Sequence, residues 1–461
     1  MLDFNYYFPL KMNTNKIATC FSLIIVLVFA VTIPSHAQSR DSTAVYAFHN
    51  ITVIPMDENR VLADQTVLVR GDRIIEIGSS SEVNIPGGAT QIDGNGKYLM
   101  PGLAEMHGHI PPPNLPDDYP ESYIEDVLFL YLAGGITTVR GMLGHDGQLE
   151  IKRKIDDGTL LGPSLYLAGP SFNGNSISSV EQAVQKVKRQ KEEGWYLLKI
   201  HPGLSRGEYD AMASTAHEVN IPFGGHIPEE VGLVHALEMK QQTIDHLDGY
   251  MRYLDAENKP MDSQELEKAV KLSKESGTWV VPTMALWETL IGAADYDAMR
   301  QYPELKYMPD AVLKQWDQAL EQFQSRVKGR KDEARQHAKN RLILLKALHD
   351  AGVPVLMGTD SPQIYSVPGF SLLRELELMK KSGMNNFEIL QTGTANVGKY
   401  FNDTDDFGTI APGQRADLLL LDENPLEDLQ HLKNFSGIMV RGQWISRETI
   451  DDRLQSISSS N

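Results

Sequence analysis

The chain has 461 residues, in which 43 Lys and Arg face 61 Asp and Glu, so its formal charge is −18 at pH 7. This charge excludes a general nucleic-acid binder, because a polyanion would be repelled over most of the surface. Hydrophobic residues (41%) and charged residues (23%) are in the ordinary globular range, which excludes wholesale disorder and a multispanning membrane protein. A single cysteine excludes a disulfide framework.

The first 37 residues have the features of a cleaved signal peptide. Lys11 and Lys16 precede an uncharged stretch, and Ser35 and Ala37 put small residues where a signal peptidase reads the chain. The apolar run Phe21–Ile33 has 13 residues, which is short for a bilayer crossing. We therefore expect an exported protein, periplasmic or secreted, with no stable membrane anchor after cleavage. The alternative is a single membrane anchor.

Short β-branched segments separated by turn residues occur near both ends of the mature chain. The predicted strands are His49–Pro55, Gln65–Arg70, Arg73–Gly78, Ala416–Asp422 and Gly437–Ile445. Because the middle of the chain has a different pattern, we predict one small β-sandwich domain that is built from residues 38–99 and 400–461.

Residues 100–399 alternate between strand-like and helix-like segments, which is typical of parallel β/α units. Amphipathic helices such as Val180–Glu193 and Ser263–Lys274 separate eight candidate strands. The candidate strands are Leu103–His109, Ile136–Met142, Ser164–Gly169, Tyr196–His201, Ile221–His226, Thr243–Asp248, Thr278–Thr283 and Val353–Asp360. Eight such units predict the fold class α/β, with a closed (β/α)8 TIM-like barrel beside the small β domain.

A long helical insertion is predicted at about 288–350, between the last two strands. Its segment Arg326–Arg341 holds seven basic residues and two acidic ones. One interpretation is a solvated helix face. The alternatives are a lid over an active site or a contact with a partner subunit, which would make the chain a homo-oligomer.

Candidate metal ligands stand where the predicted strands end. His107 and His109 have the spacing i, i+2, so strand alternation points both imidazoles to the same side. Later strands end at or near His226, His246 and Asp360. Such strand ends gather at one rim of a barrel, and imidazole with carboxylate suits zinc or another borderline divalent ion.

Lys199 stands among apolar residues on the fourth predicted strand. A buried lysine has to find a partner or lose its charge, because an isolated buried ammonium is costly. Reaction with carbon dioxide would convert it to a carbamate that can bridge two metal ions. The alternatives are a lysine that reaches the rim or an ion pair with Asp360.

These motifs, in this order, resemble the amidohydrolase superfamily, in its imidazolonepropionase-like and prolidase-like branch. The matching residues are Met100–His109, Gly135–Arg140, Lys199, His226, His246, Gly358–Asp360, Gly408–Gly413, Ala416–Asp422 and Asn424–Leu426. The resemblance covers about residues 45–445. It implies a metal-dependent hydrolase that cleaves a C–N bond in an amide, cyclic amide or dipeptide, and the branch includes Xaa-Pro-type dipeptidases.

The resemblance also implies a binuclear metal centre with two divalent ions, for which Zn²⁺ is the expected metal. Carried over to this chain, its ligands are His107, His109 and Asp360 for one ion, His226 and His246 for the other, and the carbamate of Lys199 as the bridge. Two cations that share a bridging water lower its pKa enough to supply hydroxide near neutral pH. Asp360 would take up the proton as general base and return it to the leaving amine as general acid.

Four further residues are candidates for substrate binding. Arg140 is predicted to grip a carboxylate or to form an ion pair inside the barrel mouth. His201 is predicted as a polar pocket wall or as a packed residue, and Tyr250 as a contact to a substrate oxygen. Trp287 is predicted to stack on a substrate ring or to be buried.

The sequence therefore predicts an exported metal-dependent hydrolase with a small-molecule or dipeptide substrate. An esterase, lactonase or phosphotriesterase on the same site is the alternative. A non-catalytic metal-holding protein is a third hypothesis, against which Asp360 argues because binding alone needs no proton acceptor.

Overall fold

The structure is a computed structural model that describes residues 43–460. The predicted signal peptide, residues 1–37, lies outside the described residues. Within residues 43–460, no helix is both long enough and apolar enough to cross a membrane.

The strands of the described residues form one mixed sheet and two parallel sheets. In chain order the strands are β1 (Val45–Val53), β2 (Leu62–Arg70), β3 (Arg73–Ser79), β4 (Thr90–Asp93), β5 (Tyr98–Pro101), β6 (Leu103–Gly108), β7 (Ile136–Gly141), β8 (Ser164–Leu167), β9 (Leu198–Ile200), β10 (Phe223–Gly225), β11 (Thr243–Asp245), β12 (Trp279–Val281), β13 (Leu418–Leu421), β14 (Phe435–Val440) and β15 (Gln443–Ser446).

The helices lie mainly between and around the strands of the two parallel sheets. In chain order they are α1 (Tyr123–Ala133), α2 (Gln148–Asp156), α3 (Val180–Glu193), α4 (Arg206–Glu218), α5 (Leu233–Glu238), α6 (Tyr250–Tyr253), α7 (Ser263–Ser276), α8 (Met284–Ile291), α9 (Tyr296–Met299), α10 (Asp310–Val327), α11 (Lys331–Asp350), α12 (Leu372–Ser382), α13 (Asn386–Thr392), α14 (Ala395–Tyr400) and α15 (Arg447–Ser460). Two 3₁₀ helices span Pro303–Tyr307 and Leu429–Lys433.

Local sequence signals explain where the two predicted amphipathic helices begin and end. The side chain of Ser179 caps α3, and that of Asp262 caps α7 by accepting hydrogen bonds from backbone amides of the first turn. Both helices stop at a glycine in the left-handed region, Gly194 and Gly277. These signals are local, which is why the sequence located both helices closely.

Strands from both ends of the chain share one eight-stranded sheet. Its order is β15-β14-β13-β5-β1-β2-β3, with β4 paired to β1. The small β domain predicted from both chain ends is therefore built on one hydrogen-bonded sheet, and the sandwich arrangement stays a prediction. The sheet curls until Phe48 on β1 meets Trp444 on β15, with ring centroids 5.4 Å apart, so one sheet encloses the small core by itself.

The predicted barrel region contains two parallel sheets, β6-β7-β8 and β9-β10-β11-β12. Backbone hydrogen bonds join one edge of each sheet to the other, since the Gly169 amide donates to the Leu197 carbonyl at 3.0 Å and the Tyr196 amide to the Leu167 carbonyl at 2.9 Å. The α/β class is confirmed. The parallel strands have three to six residues each, which is shorter than most of the predicted segments.

The eighth predicted strand, residues 353–360, is not a regular strand. It forms one isolated bridge, between Val355 and Val280, and its Asp360 amide donates to the His107 carbonyl at 2.7 Å. Pro354 cannot donate to a ladder, and Asp360 has a φ of 64°, so the backbone leaves the extended conformation. The backbone of this segment nevertheless bonds to both neighbouring strands, since the Leu356 amide donates to the Val280 carbonyl at 2.9 Å and the Met106 amide donates to the Met357 carbonyl at 2.8 Å. The regular strands of the described residues do not form one closed eight-stranded sheet, and the closed barrel stays a prediction.

The helical insertion begins at α8, directly after β12, slightly earlier than predicted. Its helix α10 lies against the loops that follow β6 and residues 353–360. The Tyr119 hydroxyl donates to the Gln315 side chain at 3.0 Å, and the Tyr365 hydroxyl donates to Asp317 at 2.6 Å. Helix α10 of the insertion therefore contacts loops beyond two of the predicted strand ends.

Gly442 marks a close approach between the two chain ends. It has a φ of 76°, and a Cβ atom there would lie 1.7 Å from the Gly71 carbonyl oxygen. We expect Gly442→Ala to lower the free energy of unfolding by more than the about 1–2 kcal/mol that the left-handed conformation costs an alanine. Gly413→Ala is the matched control, because Gly413 has a φ of 90° and no atom within 4 Å of an added Cβ. Equal urea midpoints for the two variants would contradict the close approach.

Candidate metal centre and active site

The predicted metal ligands converge at the carboxyl ends of the parallel strands. His107 lies on β6, and Lys199 lies on β9. His226 and His246 directly follow β10 and β11, and Asp360 ends the segment that lies between β12 and β6. Parallel strands bring these ends to one edge, so residues more than 250 positions apart become neighbours.

The side chains of this cluster are in mutual contact. The His107 ring centroid lies 4.4 Å from that of His246, which lies 4.5 Å from that of His226. Asp360 Oδ1 lies 2.5 Å from His109 Nε2, and Lys199 Nζ lies 3.2 Å from His107 Nε2. One atom each of His107, His109 and Asp360 lie within 4.8 Å of one another, which suits a shared metal ion.

Burial sets the protonation states that metal binding requires. Burial lowers the pKa of His107 and of His246 well below the usual 6.5, so both imidazoles are neutral at pH 7. Neutral imidazole is the form that binds a metal ion. Burial also lowers the pKa of Lys199 to about 8, so the uncharged, nucleophilic form of its amine is more accessible near neutral pH than it is for an ordinary lysine.

Asp360 behaves differently from the other buried groups. Burial by itself would raise its pKa, but the surrounding nitrogen groups, with the hydrogen bond from His109 and the ammonium of Lys199 among them, outweigh this effect and hold the pKa well below its usual range. The side chain is only 4% exposed. Asp360 is therefore an ionised carboxylate inside a cluster of nitrogen donors.

The backbone at three of these strand ends is in the left-handed region. His246, Thr283 and Asp360 have φ values of 66°, 43° and 64°. Such conformations cost non-glycine residues about 1–3 kcal/mol and are concentrated at functional sites. These conformations occur at residues whose side chains meet in the cluster, where His246 Nδ1 lies 3.7 Å from Asp360 Oδ2 and 2.7 Å from Thr283 Oγ1.

Acidic and hydroxyl side chains orient the histidine rings. Asp248 accepts a hydrogen bond from His226 Nδ1 at 2.9 Å, and Thr283 Oγ1 shares a 2.7 Å hydrogen bond with His246 Nδ1. Asp245 Oδ2 lies 2.8 Å from His107 Nδ1. The Nδ1 atoms of His226 and His246 are thus hydrogen-bonded by the protein, which leaves their Nε2 atoms for a metal ion. The close approach of Asp245 to His107 Nδ1 does not have hydrogen-bond geometry.

Glu105 is a further residue that the sequence analysis missed. It is fully buried and accepts hydrogen bonds from the amides of His107 and Thr359 at 2.9 and 2.8 Å. Burial raises its pKa to about 8. Glu105 thus ties β6, which carries His107 and ends just before His109, to the segment that carries Asp360. Strand alternation, which predicted that His107 and His109 point to the same side, places Glu105 on that side as well. The sequence therefore contained a signal for Glu105.

Arg140 forms the interior ion pair that was one of its two predicted roles. Its guanidinium is fully buried and lies 3.2 Å from both carboxylate oxygens of Asp245. Its other hydrogen bonds go to Met106 O, Thr243 Oγ1 and the Tyr400 hydroxyl. The structure therefore turns Arg140 away from a substrate and towards the support of the cluster.

The other three substrate candidates divide into one core residue and two neighbours of the cluster. Tyr250 is fully buried, and its hydroxyl bonds to Ser273 Oγ at 2.6 Å, which corrects its predicted contact with substrate. The His201 ring stacks 5.0 Å from that of His226. Trp287 is 8% exposed, and its ring lies 6.3 Å from His246.

The profile of the amidohydrolase family matches residues 98–445. This range includes every candidate ligand described above, and the chain belongs to the amidohydrolase family. The predicted enzyme class is confirmed: the protein is a hydrolase that acts on carbon–nitrogen bonds.

Known proteins with similar sequences or folds agree with this family. Ochratoxinase from Aspergillus niger is 22% identical, and the alignment covers 86% of this chain and 85% of that protein. A structure described as bottromycin amidohydrolase has a TM-score of 0.70 and 21% identity, with 90% of each chain covered. A putative prolidase from Bifidobacterium longum has a TM-score of 0.68 and 22% identity, with 90% of this chain and 100% of that chain covered.

Asp248 provides a test of the ring-orienting contacts. We expect Asp248→Ala to weaken divalent-ion binding by about 10–100-fold, because His226 loses the acceptor that fixes its tautomer. Asp210→Ala is the matched control, since Asp210 makes the same type of contact with His235, at 2.5 Å, on helices outside the cluster. Zinc affinity measured against a competing chelator gives the result. Equal affinities in both variants would contradict the orienting role.

Proposed function

We propose that this protein is an exported, metal-dependent amidohydrolase that cleaves an amide or peptide bond in a small-molecule or dipeptide substrate. The observation that carries the proposal is the convergence of four histidines, Asp360 and Lys199 in one cluster of a chain that belongs to the amidohydrolase family. We also infer that the two parallel sheets and residues 353–360 together make up the wall of one (β/α)8 barrel. Export to the periplasm or the medium is proposed from residues 1–37 alone.

The donor set fits two divalent ions, and Zn²⁺ is the metal we propose. His107, His109 and Asp360 would hold one ion, and His226 and His246 the other, with a carbamate on Lys199 between them. Neutral buried imidazoles and an ionised carboxylate support this assignment. Divalent ions bound there would lower the pKa of a water molecule and polarise the scissile carbonyl.

Asp360 is the group that moves the proton in this proposal. Its carboxylate is ionised at neutral pH, so it can accept a proton from the attacking water and donate that proton to the leaving amine. The 2.5 Å contact with His109 holds the carboxylate in place. Helix α10 of the insertion contacts loops beyond two of the strand ends, and we infer that the insertion limits the access of bulk water to the site.

The similar structures favour an amide substrate over an ester or a phosphotriester, because several of them are described as a prolidase or an Xaa-Pro dipeptidase. Turnover of N-acyl amino acids, dipeptides, lactones and aryl phosphotriesters by the purified enzyme separates the alternatives. Hydrolysis of amides or dipeptides is the expected result. Turnover of lactones or phosphotriesters alone would overturn the amide proposal, and no turnover with tightly bound metal would favour the binding-protein alternative.

We expect Asp360→Asn to lower kcat by about 10²–10⁴-fold, because the amide keeps an oxygen ligand but cannot accept a proton. Asp118→Asn, which changes an exposed carboxylate on the loop after β6, should leave kcat unchanged. Steady-state kinetics and metal content are measured for both variants. A near-normal rate in Asp360→Asn would remove Asp360 from the mechanism and make His201 the next candidate base.

We expect Lys199→Ala to lose most activity and about one metal ion per chain, because the bridging ligand is absent. Bicarbonate or short carboxylic acids should restore part of the activity. Lys186→Ala is the matched control: Lys186 is also buried, burial also lowers its pKa to about 8, and its Nζ bonds to the Ser171 carbonyl instead. Full metal content in Lys199→Ala would make this lysine structural.

A further inference from the structure

Arg341 is a basic residue of the insertion that does not lie on a solvated face. It belongs to the basic stretch of α11, yet it is only 2% exposed. Its guanidinium lies over the Trp287 ring, 4.7 Å from the centroid. The side chain is therefore enclosed between the insertion and the strand ends that carry the metal cluster.

The guanidinium joins two adjacent strand ends. One terminal nitrogen donates to the His246 carbonyl at 2.8 Å, and the other donates to the Pro282 carbonyl at 3.0 Å. These residues directly follow β11 and β12, where the backbone turns into left-handed conformations at His246 and Thr283. Carbonyls that leave the sheet in this way need donors from elsewhere, and a planar fork with several donors can serve both at once.

The same two strand ends also meet through side chains. Thr283 Oγ1 shares its 2.7 Å hydrogen bond with His246 Nδ1. The distance between these atoms depends on the relative position of the two backbones, and Arg341 holds both backbones. The contact that orients the His246 ring therefore depends on a residue in the insertion, 95 positions further along the chain.

The buried guanidinium of Arg341 has no carboxylate in hydrogen-bonding contact, and the carboxyl groups of Glu375, Asp248 and Glu288 act on its charge only through space. Both oxygen acceptors of Arg341 are uncharged carbonyls, and its Nε is buried without a hydrogen-bond partner among residues 43–460. Burying such a group costs stability relative to an apolar side chain of similar volume. The buried guanidinium of Arg341 therefore lowers the stability of the fold but gives His246 a defined geometry.

We propose that Arg341 is a positioning residue: it fixes the His246 ring, through the His246 and Pro282 carbonyls, in the orientation that the second metal ion requires. This inference rests on the two-metal site of the proposed function. It assigns to the insertion a role in assembling the metal centre in addition to covering it.

The test compares Arg341→Met and Arg341→Lys with Lys339→Met, which changes an exposed cation on the same helix. Apoproteins are titrated with Zn²⁺ against a competing chelator, and circular dichroism confirms that each variant is folded. We expect binding at one of the two sites to weaken by about 10–100-fold in the Arg341 variants, with the other site and the Lys339→Met protein unchanged. Arg341→Lys decides the question if Arg341→Met does not fold.

A double-mutant cycle with Thr283→Val separates positioning from a general structural effect. If Arg341 acts through the His246–Thr283 contact, Arg341→Lys should have a smaller effect on zinc affinity in the Thr283→Val background than in the wild type. Additive effects, or two unchanged sites in Arg341→Lys, would overturn the inference. A wild-type protein that binds only one ion under zinc supplementation would instead contradict the proposed two-metal site.

Discussion

A row of buried contacts from Arg140 through Asp245 to His107 supports the metal cluster, and the rest of the site depends on these contacts. Arg140 lies against Asp245, and Asp245 lies against His107 Nδ1. Burial opposes a charge on Asp245, but Arg140 and Lys199 keep its pKa below the usual value. An ionised Asp245 holds the His107 ring, which in turn contacts His246 and Lys199.

The residues of the cluster lower the stability of the fold as well as providing its chemistry. Neutral imidazoles, buried carboxylates and left-handed backbone at the strand ends all oppose folding when they are taken one at a time. They persist because the surrounding structure holds them in place, with Asp248 bonded to the His226 ring and Thr283 bonded to the His246 ring. Holding a site in a fixed geometry costs folding free energy, and the large hydrophobic core of the chain can offset that cost.

The insertion has two relations to this site. Its helix α10 contacts the loops that follow β6 and residues 353–360, while α11 reaches inward through Arg341. Stability of the insertion and geometry of the cluster are therefore coupled. A change in α11 can alter metal binding without touching a ligand, since the carbonyl of His246 transmits it.

Much of the site was predictable because its ligands carry their own local signals. His107 and His109 show strand alternation, and Asp360 ends a recognisable Gly-Thr-Asp step at a strand end. The supporting residues were harder to find. Asp245 and Asp248 flank His246 in sequence, so proximity was a usable signal, whereas Thr283 and Arg341 contact His246 across 37 and 95 residues.

The amino-acid sequence by itself determined the α/β class, the family, the ligand candidates and the helices with strong caps, because periodicity, capping residues and short motifs are local properties. Only the tertiary structure decided that the small domain is one curled sheet, that residues 353–360 form no regular strand, and that Arg140 and Arg341 point inward. Those outcomes depend on which carbonyls and carboxylates remain without partners after the chain has packed. Which groups remain without partners depends on how distant segments come into contact, so no local sequence pattern predicts it.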